Sequence, residues 1–154
     1  MKALLVGQAP SRRSDGKEAF PKGARSAKRL STLIGGDVRR LFDAENLLDR
    51  WPGKAGKGDS FPIEIARKKA IELLETDRHD ILILFGRKVA EAFGLGDARW
   101  FEERRIGRRS LYAVPHPSGI NLWWNDRTNV EKARRFFEEV AREGNGNVYC
   151  GNEA

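Results

Sequence analysis

The sequence predicts an α/β protein, a three-layer α/β/α sandwich around a central, mostly parallel sheet of about four strands. Along the 154 residues, short apolar runs alternate with amphipathic stretches of helical period, which is the pattern of strand–helix units. The run at residues 81–85 is apolar throughout, as is typical of a parallel strand covered on both faces. The chain length favours one domain with its own core.

The first half is predicted to form a strand, two helices and a second short strand, in the order 2–7, 24–34, 37–42 and 46–48. Ala27, Leu30 and Ile34 recur on one face of the first helix, and the glycine pair at 35–36 ends it. Polar residues at 8–23 and the Gly- and Lys-rich stretch at 51–59 predict loops, the second of them mobile.

The second half is predicted to begin with a helix that starts at residues 60–62, before the central strand at 81–85. A further helix follows Gly86, and a last strand covers 111–114. Thr128 and Glu131 have the spacing of a capping box, which predicts the start of the final helix. Residues 1–143 therefore form the predicted domain, and residues 144–154 a loose tail.

The charge balance favours an anionic partner. The chain carries 29 Lys and Arg against 22 Asp and Glu, which gives a net charge of +7. DNA, single- or double-stranded, is the first candidate because phosphate neutralisation supplies most non-specific affinity. A basic surface that serves only solubility is the alternative.

The cysteine and histidine content predicts neither a disulfide nor a metal site. Cys150 is the single cysteine, so no internal disulfide and no cysteine-ligated metal or iron–sulfur cluster is expected. His79 and His116 do not have metal-ligand spacing. The longest strongly apolar stretch is too short to span a bilayer. We expect a monomeric, cytoplasmic protein in a reducing compartment, with no membrane association.

Two short strings carry most of the functional signal: Gly7-Gln8-Ala9-Pro10 and His116-Pro117-Ser118-Gly119-Ile120-Asn121. Each directly follows an apolar, strand-like run. Ligands of open α/β sheets bind outside the carboxyl ends of the strands. The strings are therefore predicted to form one composite pocket.

These strings resemble the two signature motifs of the uracil-DNA glycosylase superfamily. The first resembles its Gly-Gln-Asp-Pro or Gly-Glu-Ala-Pro motif, and the second its His-Pro-Ser motif. Three further segments lie between the two strings in the order in which the superfamily has its corresponding segments: Phe20, residues 46–48 and residues 84–90. The resemblance therefore spans about residues 2–140. It implies a DNA glycosylase that flips uracil or a related pyrimidine out of DNA and cleaves its N-glycosidic bond without a cofactor.

The resemblance also implies roles for individual residues in the pocket. His116 would donate a hydrogen bond to the oxygen of the departing base, where negative charge develops. Phe20 would stack on the flipped base, and Asn46 would read its edge. Gln8 would line the pocket. The alternatives are a capping histidine, a core phenylalanine and a turn asparagine. The remaining predicted base-binding positions belong to the first string and the residue after it: Ala9, Pro10 and Ser11.

The DNA-binding positions implied by the resemblance surround this pocket. Backbone amides at Ser118 and Gly119 would approach a phosphate, and Ile120 or Leu122 would fill the vacated stack. The rest of the predicted interface comprises Pro117, Asn121, Arg12, Arg13, Lys22 and Arg25, with Lys17, Lys54 and Lys57 on the same basic rim. A solvated polar surface is the alternative for any single cation. Trp123 and Trp124 are expected on an extended segment, as core anchors or a base-stacking platform.

The sequence departs from the superfamily pattern at the acid of the first motif. Ala9 stands where one branch has aspartate, and Gln8 stands where another has glutamate. Asp15 and Glu18, further along the loop, are the candidate substitutes for positioning water. Ser11 replaces a tyrosine that excludes the 5-methyl group of thymine, so larger pyrimidines are expected to enter.

Two alternatives to a glycosylase remain open from the sequence. A catalytically silent DNA- or base-binding relative is favoured by the missing carboxylates and disfavoured by the presence of His116. A nucleotide-binding α/β protein is disfavoured because the chain has no Gly-rich phosphate fingerprint.

Overall fold

The computed structural model describes residues 2–10, 19–21, 24–118 and 121–145, which include a five-stranded sheet flanked by helices. The strands are β1 (Ala3–Gly7), β2 (Phe42–Asn46), β3 (Lys54–Ala55), β4 (Gly58–Asp59), β5 (Ile81–Phe85), β6 (Glu103–Ile106) and β7 (Arg109–Val114). The helices are α1 (Arg25–Ile34), α2 (Val38–Leu41), α3 (Ile63–Thr76), α4 (Arg87–Ala92) and α5 (Arg127–Asn145), and a 3₁₀ helix covers Leu122–Asn125.

The central sheet has the strand order β2-β1-β5-β7-β6. The first four strands pair in parallel, and β6 pairs antiparallel with β7. The predicted α/β class is confirmed, with five strands in place of about four. The sequence analysis missed β6 because it is a charged edge strand, Glu-Arg-Arg-Ile, with only one face partly covered.

Two apolar cores lie on opposite faces of the sheet, as a three-layer architecture requires. On one face, α3 and α4 cover alternate residues of the central strands, such as Leu82 and Leu84. On the other, α1, α5 and the 3₁₀ helix cover the intervening residues, such as Ile83 and Phe85. This alternation follows from the two-residue period of a strand and explains why β5 is apolar at every position.

The second strand was predicted four residues too late. β2 runs from Phe42 to Asn46, whereas residues 46–48 were expected, and α2 ends at Leu41 before the predicted helix end at residue 42. β2 contains polar residues because an edge strand is only partly covered, so it has no continuous apolar run that would predict a strand. Leu47 and Leu48 are buried, but they lie beyond the strand.

The ends of α5 and the segment before it also differ from the prediction. Asp126, not Thr128, caps the helix, since its Oδ1 accepts the backbone N–H of Thr128 at 2.8 Å. The helix continues through Asn145, past the predicted domain boundary at residue 143. Trp123 and Trp124 lie in the 3₁₀ helix instead of an extended segment, with ring centroids 4.8 Å apart.

Smaller differences concern the first helix and the glycine-rich loop. Leu33 is buried on α1 where Ile34 was expected, and Ile34 is only partly buried. The loop at 51–59 contains the short antiparallel hairpin β3–β4. A hydrogen bond of 2.8 Å from the Ser60 N–H to the Gly53 carbonyl closes its base. Among the helices of the described segments, none is long and apolar enough to cross a membrane.

Candidate active site

A cavity of about 360 Å³ lies where the parallel strands of the sheet end. The last residues of β1 and β2, Gly7 and Asn46, are paired in register, as are Phe85 and Val114 at the ends of β5 and β7. The residues that follow these strands therefore converge at one edge, as expected for an open α/β sheet. The described lining consists of Gly7, Gln8, Ala9, Pro10, Phe20, Pro21, Ala24, Ser26, Asn46, Asp59, Lys88, His116 and Ser118.

The backbone of the first string is fixed against the chain that follows β2. The Leu47 N–H donates to the Gly7 carbonyl, and the Leu48 N–H donates to the Gln8 carbonyl, both at 3.0 Å. A Cβ atom at Gly7 would lie only 2.5 Å from Asn46 Oδ1 and 3.5 Å from Phe20 Cε2. The absence of a side chain at Gly7 thus allows the Asn46 amide to lie against it, with the Phe20 ring nearby.

Phe20 belongs both to the core and to the wall of the cavity. Its ring packs edge-on against Phe85 with centroids 4.9 Å apart, and its backbone adopts a left-handed φ of +50°. That conformation is costly for a bulky side chain, so the surrounding contacts must hold it. One such contact is the 2.6 Å hydrogen bond from Arg39 Nη1 to the Ala19 carbonyl.

Side chains from two helices hold the His116 loop in place. The His116 carbonyl accepts hydrogen bonds from Asn121 Nδ2 at 2.9 Å and from Trp124 Nε1 at 2.8 Å. Arg29 on α1 donates from Nη1 to the Ser118 carbonyl at 2.8 Å, and its guanidinium lies 5.5 Å from the Trp124 ring centroid. The loop is therefore braced from both α1 and the 3₁₀ helix, which limits its freedom to move the imidazole.

Burial keeps the His116 imidazole uncharged at neutral pH. Desolvation lowers the pKa of His116 below its ordinary value because the charged form loses solvation. Gly86, which packs beside the histidine, has a left-handed φ of +92° that favours glycine, whereas a Cβ there would meet His116 Cβ at an ordinary 3.6 Å. A neutral imidazole has one N–H group, which can donate a hydrogen bond to a developing oxyanion.

Seven of the predicted site residues line this single cavity: Gln8, Ala9, Pro10, Phe20, Asn46, His116 and Ser118. The predictions for Ser11, Arg12, Arg13, Asp15, Lys17, Glu18, Lys22, Gly119 and Ile120 lie outside the described residues. The functional roles given to all of these side chains remain predictions.

The other predicted interface residues that the structure describes do not line the cavity. Arg25 is exposed at the start of α1, and Leu122 is 77% exposed at the start of the 3₁₀ helix. Pro117 is buried. Both ends of the Asn121 amide bond within the loop, because its Oδ1 also accepts the Trp123 N–H at 3.2 Å. Trp124 is buried in the core and Trp123 is partly buried beside it.

Two charged residues of the cavity were missed by the sequence analysis. Lys88 comes shortly after β5, and ligand sites of open α/β sheets lie beyond the carboxyl ends of the strands. Lys88 could therefore have been identified by the same argument that selected the two strings. Asp59 comes from the β3–β4 hairpin, and nothing in the local sequence indicates that this hairpin reaches the site. The two are linked by a 3.3 Å hydrogen bond from Lys88 Nζ to the Asp59 carbonyl.

His79 lies in a different environment, before the start of β5. Its Nδ1 and Nε2 atoms each lie 2.7 Å from a carboxylate oxygen, of Asp77 and Asp43 respectively. Burial alone would lower the pKa of His79, but the hydrogen bonds to Asp43 and Asp77 and their charges outweigh it and raise the pKa. No cluster of three or more metal-ligating side chains occurs within the part of the chain that the structure describes.

No family model matches the chain.

Proposed function

We propose that this protein is a DNA glycosylase that releases uracil or a related or modified pyrimidine from DNA. The observation that carries the proposal is the single strand-end cavity lined by His116, Phe20 and Asn46. Its volume of about 360 Å³ lies in the range of small-molecule sites. An aromatic ring, an amide and a neutral histidine are the groups needed to stack on a flipped base, read its edge and stabilise its departure.

The proposed chemistry depends on charge that develops as the N-glycosidic bond breaks. The sugar becomes oxocarbenium-like, and the electron pair of the bond moves onto the base. A His116 N–H aimed at a base carbonyl oxygen would stabilise that negative charge. Because the His116 carbonyl is held by both Asn121 and Trp124, the loop would deliver the imidazole with little reorganisation.

Basic residues on both sides of the cavity support DNA as the partner. Arg25 is exposed on α1, whereas Lys54 and Lys57 are exposed on the β3–β4 hairpin. Lys88 lies in the cavity wall itself. A DNA strand that presents its base to the cavity would pass between these cations, and they would neutralise its phosphates.

The experiment that tests this function is an abasic-site assay. The purified protein is incubated with single- and double-stranded oligonucleotides that contain uracil, a thymine mispair or a 5-substituted pyrimidine, and the products are cleaved with alkali. Cleavage at the substituted position on at least one substrate is expected, with free base detected by mass spectrometry. Absence of cleavage on every substrate would contradict the proposal.

A catalytically silent, base-binding protein is the second candidate, favoured by Ala9 at the position of the superfamily's acid. Ala9 lines the cavity, so an Ala9→Asp variant would place a carboxylate in its wall. If the parent binds DNA without cleaving it and the Ala9→Asp variant gains glycosylase activity, the pocket lacks only the acid. An Ala9→Asn variant is the matched control for the change in size and polarity.

A further inference from the structure

Hydrolysis of an N-glycosidic bond is accelerated by a group that receives the proton of the attacking water. Neither string supplies a carboxylate, because Gln8 and Ala9 occupy the positions where the superfamily motif has one. Among the described residues that line the cavity, Asp59 alone carries a carboxyl group. We infer that Asp59, from the β3–β4 hairpin, is the residue that positions and deprotonates the water in the proposed glycosylase reaction. This inference rests on the proposed function.

One hydrogen bond holds the hairpin against the site, and a second closes the base of the hairpin. Lys88 Nζ donates to the Asp59 carbonyl at 3.3 Å, and the Ser60 N–H donates to the Gly53 carbonyl at 2.8 Å. Lys88 lies in the first turn of α4, which follows β5, so the hairpin is bonded to the helix that begins at the end of the central strand. This link explains how a two-residue strand far from both motifs contributes to the cavity wall.

Asp59 fits the role of a base because its chemistry complements that of His116. His116 is uncharged and can only donate to or accept from the leaving base, so it does not offset the positive charge on the sugar. A carboxylate in the same cavity supplies the missing negative charge and a proton acceptor. Lys88 donates to the Asp59 carbonyl and so helps to keep this residue in the cavity wall.

The reaction balances without a cofactor. The bond from C1′ of the sugar to the base nitrogen breaks, and its electron pair leaves with the base, which His116 stabilises. The oxygen of one water molecule bonds to C1′, and one of its protons passes to Asp59. That proton later neutralises the base anion, so the net result is consumption of one water, a free base and an abasic sugar.

The test compares single-turnover rates of the parent and of Asp59→Asn, Asp15→Asn and Glu18→Gln on the substrate that the abasic-site assay identifies. Asp59→Asn is expected to be about a hundredfold or more slower, the usual scale of a general base, with DNA affinity unchanged. Asp59→Glu should recover part of the rate. Asp49→Asn is the matched control, because Asp49 is an exposed aspartate that lines a different hollow, between β2 and α3.

The outcomes separate this inference from the proposed function. An active parent whose rate survives Asp59→Asn would overturn the assignment of Asp59 and leave the glycosylase function standing. Loss of activity in Asp15→Asn or Glu18→Gln with Asp59→Asn unaffected would transfer the role to the first loop. A parent that is inactive on every pyrimidine would overturn both. Rate loss at Asp59→Asn accompanied by weaker DNA binding would indicate a binding role and would also contradict the inference.

Discussion

Replacing Gly7 with alanine is expected to displace the Asn46 amide without otherwise changing the site. The new Cβ atom would lie 2.5 Å from Asn46 Oδ1, about 1 Å closer than the roughly 3.5 Å of a favourable nonbonded contact. Because Oδ1 is the end of a side chain, Asn46 can rotate away, but it then leaves the position from which it would read a base. The backbone at Gly7 poses no obstacle, since its φ is not left-handed.

The stability cost can be isolated with Gly36→Ala as the matched control. A Cβ at Gly36 would meet only Leu41 Cδ1, at an ordinary 3.7 Å. Both substitutions restrict the unfolded chain equally, a gain of about 0.4–1 kcal/mol that cancels in the comparison. The difference in unfolding free energy therefore reports the clash, and overpacking of this kind costs about 1–3 kcal/mol.

Two measurements check this prediction. Urea unfolding should show Gly7→Ala less stable than Gly36→Ala by that amount. In the abasic-site assay, Gly7→Ala should lose selectivity among pyrimidines more than it loses rate, because Asn46 is proposed to recognise the base and not to break the bond. Equal stability of the two variants would refute the packing of Asn46 over Gly7. Unchanged selectivity in a destabilised Gly7→Ala protein would refute the reading role of Asn46.

DNA binding should weaken steeply with added salt, and Arg25→Glu and Lys57→Glu, each made alone, should reduce both the affinity and the salt slope for all sequences alike. Arg142→Glu, on the last turn of α5, makes the same change in net charge and is the matched control. A salt-independent affinity would contradict a DNA-binding role for these cations. A second prediction concerns stability, because the pKa of His79 is higher in the folded protein than in the unfolded chain. The bonds of His79 to the two carboxylates therefore stabilise the protein below the unfolded pKa of about 6.5, and this contribution is lost as the pH rises through the pKa of the folded state. His79→Gln should therefore lower the urea midpoint more at about pH 5.5 than at about pH 8.5, and an equal loss at both would contradict the pairing with Asp43.

The sequence was most informative where burial and periodicity act together. The uninterrupted apolar run of β5 identified the central strand with its bounds, because a strand covered on both faces has no polar positions to obscure it. The two strings at the strand ends were found for a related reason. Parallel strands bring their carboxyl ends to one edge, so residues more than a hundred positions apart converge on one cavity.

The elements that escaped sequence reasoning are those whose burial is partial. The edge strands β2 and β6 contain charged residues, and each is recognised only from its pairing with a neighbour. Asp59 escaped for a different reason. Its place in the cavity depends on the Lys88 bond across 29 residues, a tertiary contact with no local signature. The electrostatic state of His116 is likewise a product of burial that the sequence does not specify.

The most direct test of the proposed chemistry is the single-turnover rate of base release by His116→Ala. Removal of one oxyanion donor is expected to lower the rate by about a hundredfold or more, with DNA affinity unchanged because the phosphate contacts remain. His79→Ala, which alters the other histidine of the chain away from the cavity, is the matched control and should retain the parent rate while the protein is folded. A His116→Ala protein as fast as the parent would contradict the account of this site.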